Sequence, residues 1–199
     1  MFNFKKITAL LCAFAMMAVV SGCSSDGENS SASDSSSDEN SVSDGNLSLD
    51  TTASLGSMNY CYNSGWMKED NGSQISFQLT DNSGALILQL TDGASMDAEN
   101  EDDVVEQLAD QSEAAWSSIE GMEILESSWN EELISGKKCY VIEYSYEISS
   151  IVTTNTSIFF ANFTDESKDL FAITASEINE LSTVDLSLEA LLETISFSE

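Results

Sequence analysis

Histidine, arginine and proline are all missing from this 199-residue chain. Without histidine, the usual acid/base group near neutral pH and the commonest metal ligand are gone. Without arginine, the six cations are all lysines, set against 35 acids for a formal charge of −29. A surface of that sign repels polyanions, and nucleic-acid binding needs clustered cations that displace counterions from phosphates. The lack of proline together with the acidity reads as a solvated, self-repelling surface rather than a rigid scaffold. Cysteine is scarce as well, at Cys12, Cys23, Cys61 and Cys139. Long apolar runs are limited to residues 7–20, short of the roughly 20 apolar residues a bilayer-spanning helix needs.

What is present at the N-terminus is an ordered series. Lys5 and Lys6 form a positive start, residues 7–20 an apolar run, and Ser21-Gly22 the small residues a signal peptidase requires, so residues 1–22 read as a signal peptide. Val20-Ser21-Gly22-Cys23 resembles the lipobox of bacterial lipoproteins at every position. That resemblance implies that Cys23 carries a thioether-linked diacylglycerol and becomes the first residue of the mature chain. The expected location is then the extracytoplasmic face of the cell membrane, because two acyl chains anchor stably where one is marginal. Cleavage removes two lysines and no acid, so 6 cations against 35 acids become 4 against 35, a charge of −31. Residues 23–46 hold the lipidated cysteine and a tract almost entirely of Ser, Asp, Glu, Asn and Gly, which cannot bury enough apolar surface to offset its ordering entropy. It reads as a flexible tether.

Residues 47–199 have the size of one domain. Asn59-Tyr60-Cys61-Tyr62 is a strand candidate, and Asn71-Gly72 is a strong hairpin signal. Ile75, Phe77 and Leu79 alternate with polar residues as a half-buried strand does, and the turn Asn82-Ser83-Gly84 returns the chain through a third strand over 86–90. Val104, Val105, Leu108, Ser112, Trp116 and Ile119 recur at helical spacing, predicting a helix over 101–119 that stops at Gly121. Strands are expected over 123–133, 139–148, 153–163 and 170–175, then a helix over 184–195. Tyr140, Ile142, Tyr144 and Tyr146 share one strand face. The resulting order, three strands, a helix, four strands and a helix, predicts an α+β fold: an antiparallel sheet of about six to seven strands flanked by helices. The strand ending Tyr60-Cys61-Tyr62-Asn63-Ser64-Gly65-Trp66, the central helix, the hairpin around Gly136 and the final helix together resemble the PsbP-like α/β/α sandwich. That resemblance implies a non-catalytic binding or assembly module and supplies no catalytic residues.

Chemical motifs are weak. Ser135-Gly136-Lys137-Lys138 matches the Ser-x-x-Lys pattern of acyl-enzymes but falls in an expected hairpin turn, with no Lys-Thr-Gly elsewhere. An EF-hand laid on Asp97 puts Asp102 where glycine is required and Leu108 where the bidentate glutamate belongs, so no metal is expected. No cofactor is expected either. The aromatics offer more: Tyr60, Tyr62, Trp66, Tyr140 and Tyr144 are the ligand-binding candidates, forming either an exposed groove for a protein, peptide or glycan, or part of the core. Cys61 and Cys139 remain once Cys12 leaves with the signal and Cys23 is acylated. In an exported domain they form either one disulfide or two small buried groups that never meet. The functional expectation is a membrane-anchored, non-enzymatic binding module; the alternative is a surface hydrolase using paired carboxylates.

Overall fold

The computed structural model describes residues 48–80, 84–94, 100–134, 136–148, 151–178 and 183–198. The chain divides into two units, Met1–Asp44 and Gly45–Glu199, and every described residue belongs to the second. The signal peptide, Cys23 and the tether lie outside the described residues.

The strands are β1 (Thr51–Leu55), β2 (Met58–Tyr62), β3 (Met67–Asp70), β4 (Gln74–Gln78), β5 (Gly84–Asp92), β6 (Met122–Ile134), β7 (Lys137–Ile148), β8 (Ile151–Phe163), β9 (Lys168–Ile178) and β10 (Ser196–Phe197). The helices are α1 (Glu101–Trp116) and α2 (Thr183–Glu193). The main sheet is antiparallel with seven strands in the order β3-β4-β5-β9-β8-β7-β6, and β1-β2-β10 form a separate three-stranded sheet. The expected α+β class holds, but the described residues form ten strands in two sheets rather than one sheet of about six to seven. The order differs: five strands rather than three precede the first helix, β10 follows the second, and β2 belongs to the small sheet. β1 is the weakly patterned Thr51-Thr52-Ala53-Ser54-Leu55 and β10 has two residues, so each exists only through pairing with β2.

Local chemistry places each turn and cap. Between β3 and β4 the Asp70 carboxylate accepts the Gly72 N–H at 2.9 Å, the Asn71 side chain accepts the Gln74 N–H at 2.9 Å, and Gly72 takes φ 90°. Asn100 caps α1, its side-chain oxygen accepting the Asp103 N–H at 2.9 Å. The three acids of the first turn suit the positive helix end. Glu101 does more: both its oxygens bind Lys137 Nζ at 2.9 Å, and Oε1 also accepts the Phe163 N–H at 2.8 Å. Lys138 reaches Asp102 at 3.2 Å, so two successive lysines of β7 hold the start of α1. At its other end the helix stops at Trp116 rather than Ile119, because the Ser118 and Ile119 N–H groups turn back to carbonyls three residues earlier.

The main sheet is covered on both faces. Adjacent residues of a strand point to opposite sides, and Phe159 and Phe160 illustrate the division. Phe159 meets Trp116 of α1, with ring centroids 6.2 Å apart. Phe160 stacks on Phe171 at 5.1 Å, in the cluster that holds Val184, Leu188, Leu191 and Leu192 of α2 and Met58 and Tyr60 of β2. One layer is therefore α1, the next the main sheet, and the third α2 with the small sheet.

Candidate functional site

The aromatic candidates do not assemble into a groove. Tyr60 and Trp66 are buried among Phe77 and the α2 cluster, Trp66 lying 5.5 Å from Phe77. Tyr62 is half-buried and packs on Phe77 at 4.8 Å. Tyr144 is buried on the opposite face of the main sheet, stacked on Trp116 at 4.3 Å. Tyr140, half-buried on that same face, meets Trp129 edge-on at 5.2 Å. The groove reading is corrected because a seven-stranded sheet separates the two sets, one packed on the α2 side and the other on the α1 side. The rings are core and flank rather than a binding surface.

The cysteines are also apart in role: both thiols are free, and no bridge forms. Cys139 is fully buried in the α2-side cluster together with Met58 and Tyr60. Cys61 follows Tyr60 on β2, so its side chain points to the other side of the small sheet, where its sulfur lies 3.7 Å from Thr52 Oγ1. Burial pushes the Cys139 thiol up to about 12, which keeps it from acting as a nucleophilic thiolate near neutral pH. Burial likewise raises Tyr60 to about 12 and lifts Tyr144 well above the usual phenol range.

The lysines of the Ser-x-x-Lys pattern are occupied, Lys137 by Glu101 and the Phe197 ring, and Lys138 by Asp102 and the Trp129 ring. Among the described residues no group of three or more acidic or cysteine side chains is arranged to hold a metal ion.

What the structure does form is a groove of about 490 Å³ on the α2 side of the main sheet. Its floor follows from strand register. Alternate residues of β7, β8 and β9 face α2, which places Val141 beside Ile158, Glu143 beside Thr156, Thr156 beside Ala175 and Thr154 beside Glu177. β6 extends two of these rows with Glu126 opposite Glu143 and Ser128 opposite Val141. The other wall is α2, whose Asp185, Leu188, Glu189 and Leu192 recur at three- and four-residue spacing along one stripe. The leucines are buried beneath the wall, whereas Asp185 and Glu189 are exposed on its rim. The far lip carries Glu126 and Glu143, also exposed. The groove thus has an apolar floor of Val141, Ile158, Ala175, Leu188 and Leu192, hydroxyls from Ser128, Thr154 and Thr156, and acids on both lips. No aromatic and no lysine lines it. Its volume lies in the range of ligand sites, about 300–1,000 Å³. Sequence reasoning missed it. The acids of β6 and α2 lie about sixty residues apart, and no periodicity reports that α2 leaves the β6–β8 side of this face open.

No family model and no curated protein matches the chain. The fold does have solved counterparts. LpqN of Mycobacterium tuberculosis, described as involved in cell envelope biogenesis, is similar with a TM-score of 0.51 and 11% identity, over 71% of this chain and 83% of that one. The Ran-binding protein Mog1p of Saccharomyces cerevisiae gives a TM-score of 0.47 and 9% identity, over 75% of this chain and 96% of that one. A protein of Bacteroides thetaiotaomicron gives a TM-score of 0.46 and 14% identity over 74% of this chain, which spans only 47% of that protein's length. At these identities the likeness to LpqN concerns the fold alone.

Proposed function

We propose that this chain is a lipid-anchored, extracytoplasmic binding module of PsbP-like architecture, held at the membrane through Cys23 and working without catalysis. The single observation that carries the binding reading is the open groove between α2 and the main sheet, concave, polar-lipped and apolar-floored. A layered fold of helices on both faces of an antiparallel sheet supports the PsbP-like assignment. The location rests on the lipobox and the short apolar run; among the described residues no helix is long and apolar enough to cross a membrane.

The hydrolase reading is less well supported. Glu126 and Glu143 face each other across β6 and β7, but both are exposed to solvent, and an acid/base pair is normally set in a site that excludes water and fixes the substrate. No aromatic platform lies beside them.

The groove reading is tested by filling it. Thr156 is half-buried on the floor of a strand that accepts large side chains, so Thr156→Trp is expected to occupy the groove while keeping the fold. A partner cross-linked to the wild-type chain on intact cells and lost with the Thr156→Trp variant, at unchanged circular dichroism, is the expected result. Recovery of the same partner with both chains would overturn the groove as the binding site.

A further inference from the structure

The two lips of the groove carry like charge, and no lysine among the described residues lines it. Glu126 and Glu143 are register partners on neighbouring strands, where like charges directly opposite are destabilising. Asp185 and Glu189 lie four residues apart on α2, where like charges also repel. Lysine is the only cation available, and none of the four lysines in residues 48–198 lines the groove. Each is engaged elsewhere, over an aromatic ring: Lys68 over Tyr62 at 5.5 Å, Lys137 over Phe197 at 5.2 Å, Lys138 over Trp129 at 4.2 Å and Lys168 over Phe163 at 5.2 Å. The fold therefore places its scarce cations away from a groove lined by five acids, these four and Glu177.

Resting on the binding reading above, we propose that the groove takes a cationic, amphipathic peptide segment of a partner protein. Its apolar stripe seats on Val141, Ile158 and Leu188, and lysines or arginines flanking that stripe meet Glu126 and Glu143 on one side and Asp185 and Glu189 on the other. Among the described residues the acids form no group of three or more that could hold a metal ion. A purely apolar segment leaves the lips repelling one another, and an anionic one adds to the repulsion. Recognition of this kind follows the helix-in-groove mode, with charge complementarity setting orientation and encounter rate.

The test uses the full chain carrying Cys23→Ala, so that no acyl group enters the assay, and a synthetic amphipathic Lys/Leu peptide of about 14 residues, roughly four helical turns. Calorimetry is expected to show one saturable site that weakens as added salt shortens the Debye length. The double variant Glu143→Gln with Glu189→Gln removes one exposed charge from each lip and is expected to lower affinity about tenfold, two exposed ion pairs near the top of their usual range. Glu106→Gln with Asp110→Asn removes the same charge from the exposed face of α1 and is expected to leave affinity unchanged. A Lys/Ser peptide of equal charge is expected to bind far more weakly. Equal loss in the α1 variant would overturn the proposal, since the attraction would then come from the overall charge of −29. Binding of the Lys/Ser peptide as tight as that of the Lys/Leu peptide, or no binding of either, would overturn it too. If Thr156→Trp still abolishes partner cross-linking while the Lys/Leu peptide fails to bind, the groove stands as the binding site and only the cationic class is wrong.

Discussion

Tyr60 sits at 1% exposure with a hydroxyl that has no hydrogen-bond partner. A buried polar group left unpaired costs the fold its desolvation, and an apolar replacement of the same shape removes that cost. Tyr60→Phe is therefore expected to stabilise the domain by about 1 kcal/mol at neutral pH in urea unfolding. The same burial fixes the sign of the alkaline response. Tyr60 rises from 10.0 to about 12 and Cys139 from 9.0 to about 12, so the folded state holds protons that the unfolded chain releases earlier. Their contribution is complete below pH 9 and is lost as pH climbs from there to about 12. In the Tyr60→Phe variant the part of that decline lying above pH 10 is expected to shrink; an unchanged decline would show that Tyr60 titrates as freely in the fold as in the unfolded chain. At this scale Tyr60, which the sequence left open as groove or core, is a core ring that carries an unpaired hydroxyl.

α1 is fixed in place by partners distant in the chain. Its own sequence provides the Asn100 cap and the apolar stripe, but Glu101 ties it to β7 through Lys137 and to β8 through the Phe163 N–H. Hydrogen bonds to charged groups are the stronger class, about 1.5–3 kcal/mol each when lost. Glu101→Ala breaks three such contacts, leaves the Phe163 N–H without its acceptor and takes a carboxylate from the helix start. It is expected to cost about 3 kcal/mol. Lys138→Ala, which loses the exposed contact to Asp102 and the Trp129 ring, is expected to cost about 1 kcal/mol. Equal effects of the two in denaturant melts would contradict the geometry, in which only the Glu101 contacts are partly buried.

For the molecule as a whole, charge and the proposed anchor each make an expectation. A chain at −29 is expected to keep away from polyanions and from its own copies. Cys23→Ala is expected to move the protein from the membrane fraction to the soluble or secreted fraction, or to leave an unprocessed precursor. Unchanged retention and processing in that variant would remove the lipid-anchor proposal, while leaving the groove and its ligand to be judged on their own variants.

Local signals carried much of this fold. Asn71-Gly72, the alternation of Ile75, Phe77 and Leu79, the helical spacing of Val104 to Trp116 and the pattern on Tyr140 to Tyr146 each report a period or a turn, and periods and turns are properties of neighbouring residues. The composition also sufficed to argue against histidine chemistry and an exposed cationic patch. Tertiary structure alone decided the rest. β1 and β10 have too little pattern to exist without β2, so they arise only on pairing. The aromatics divide between two faces because a central sheet intervenes, and Cys61 and Cys139 stay free because adjacent residues of β2 point to opposite sides. The groove depends on Glu126 meeting Glu143 and on α2 leaving part of one face open. Those are long-range register and layer placements, determined by which apolar surfaces are buried together rather than by any residue's neighbours in the chain.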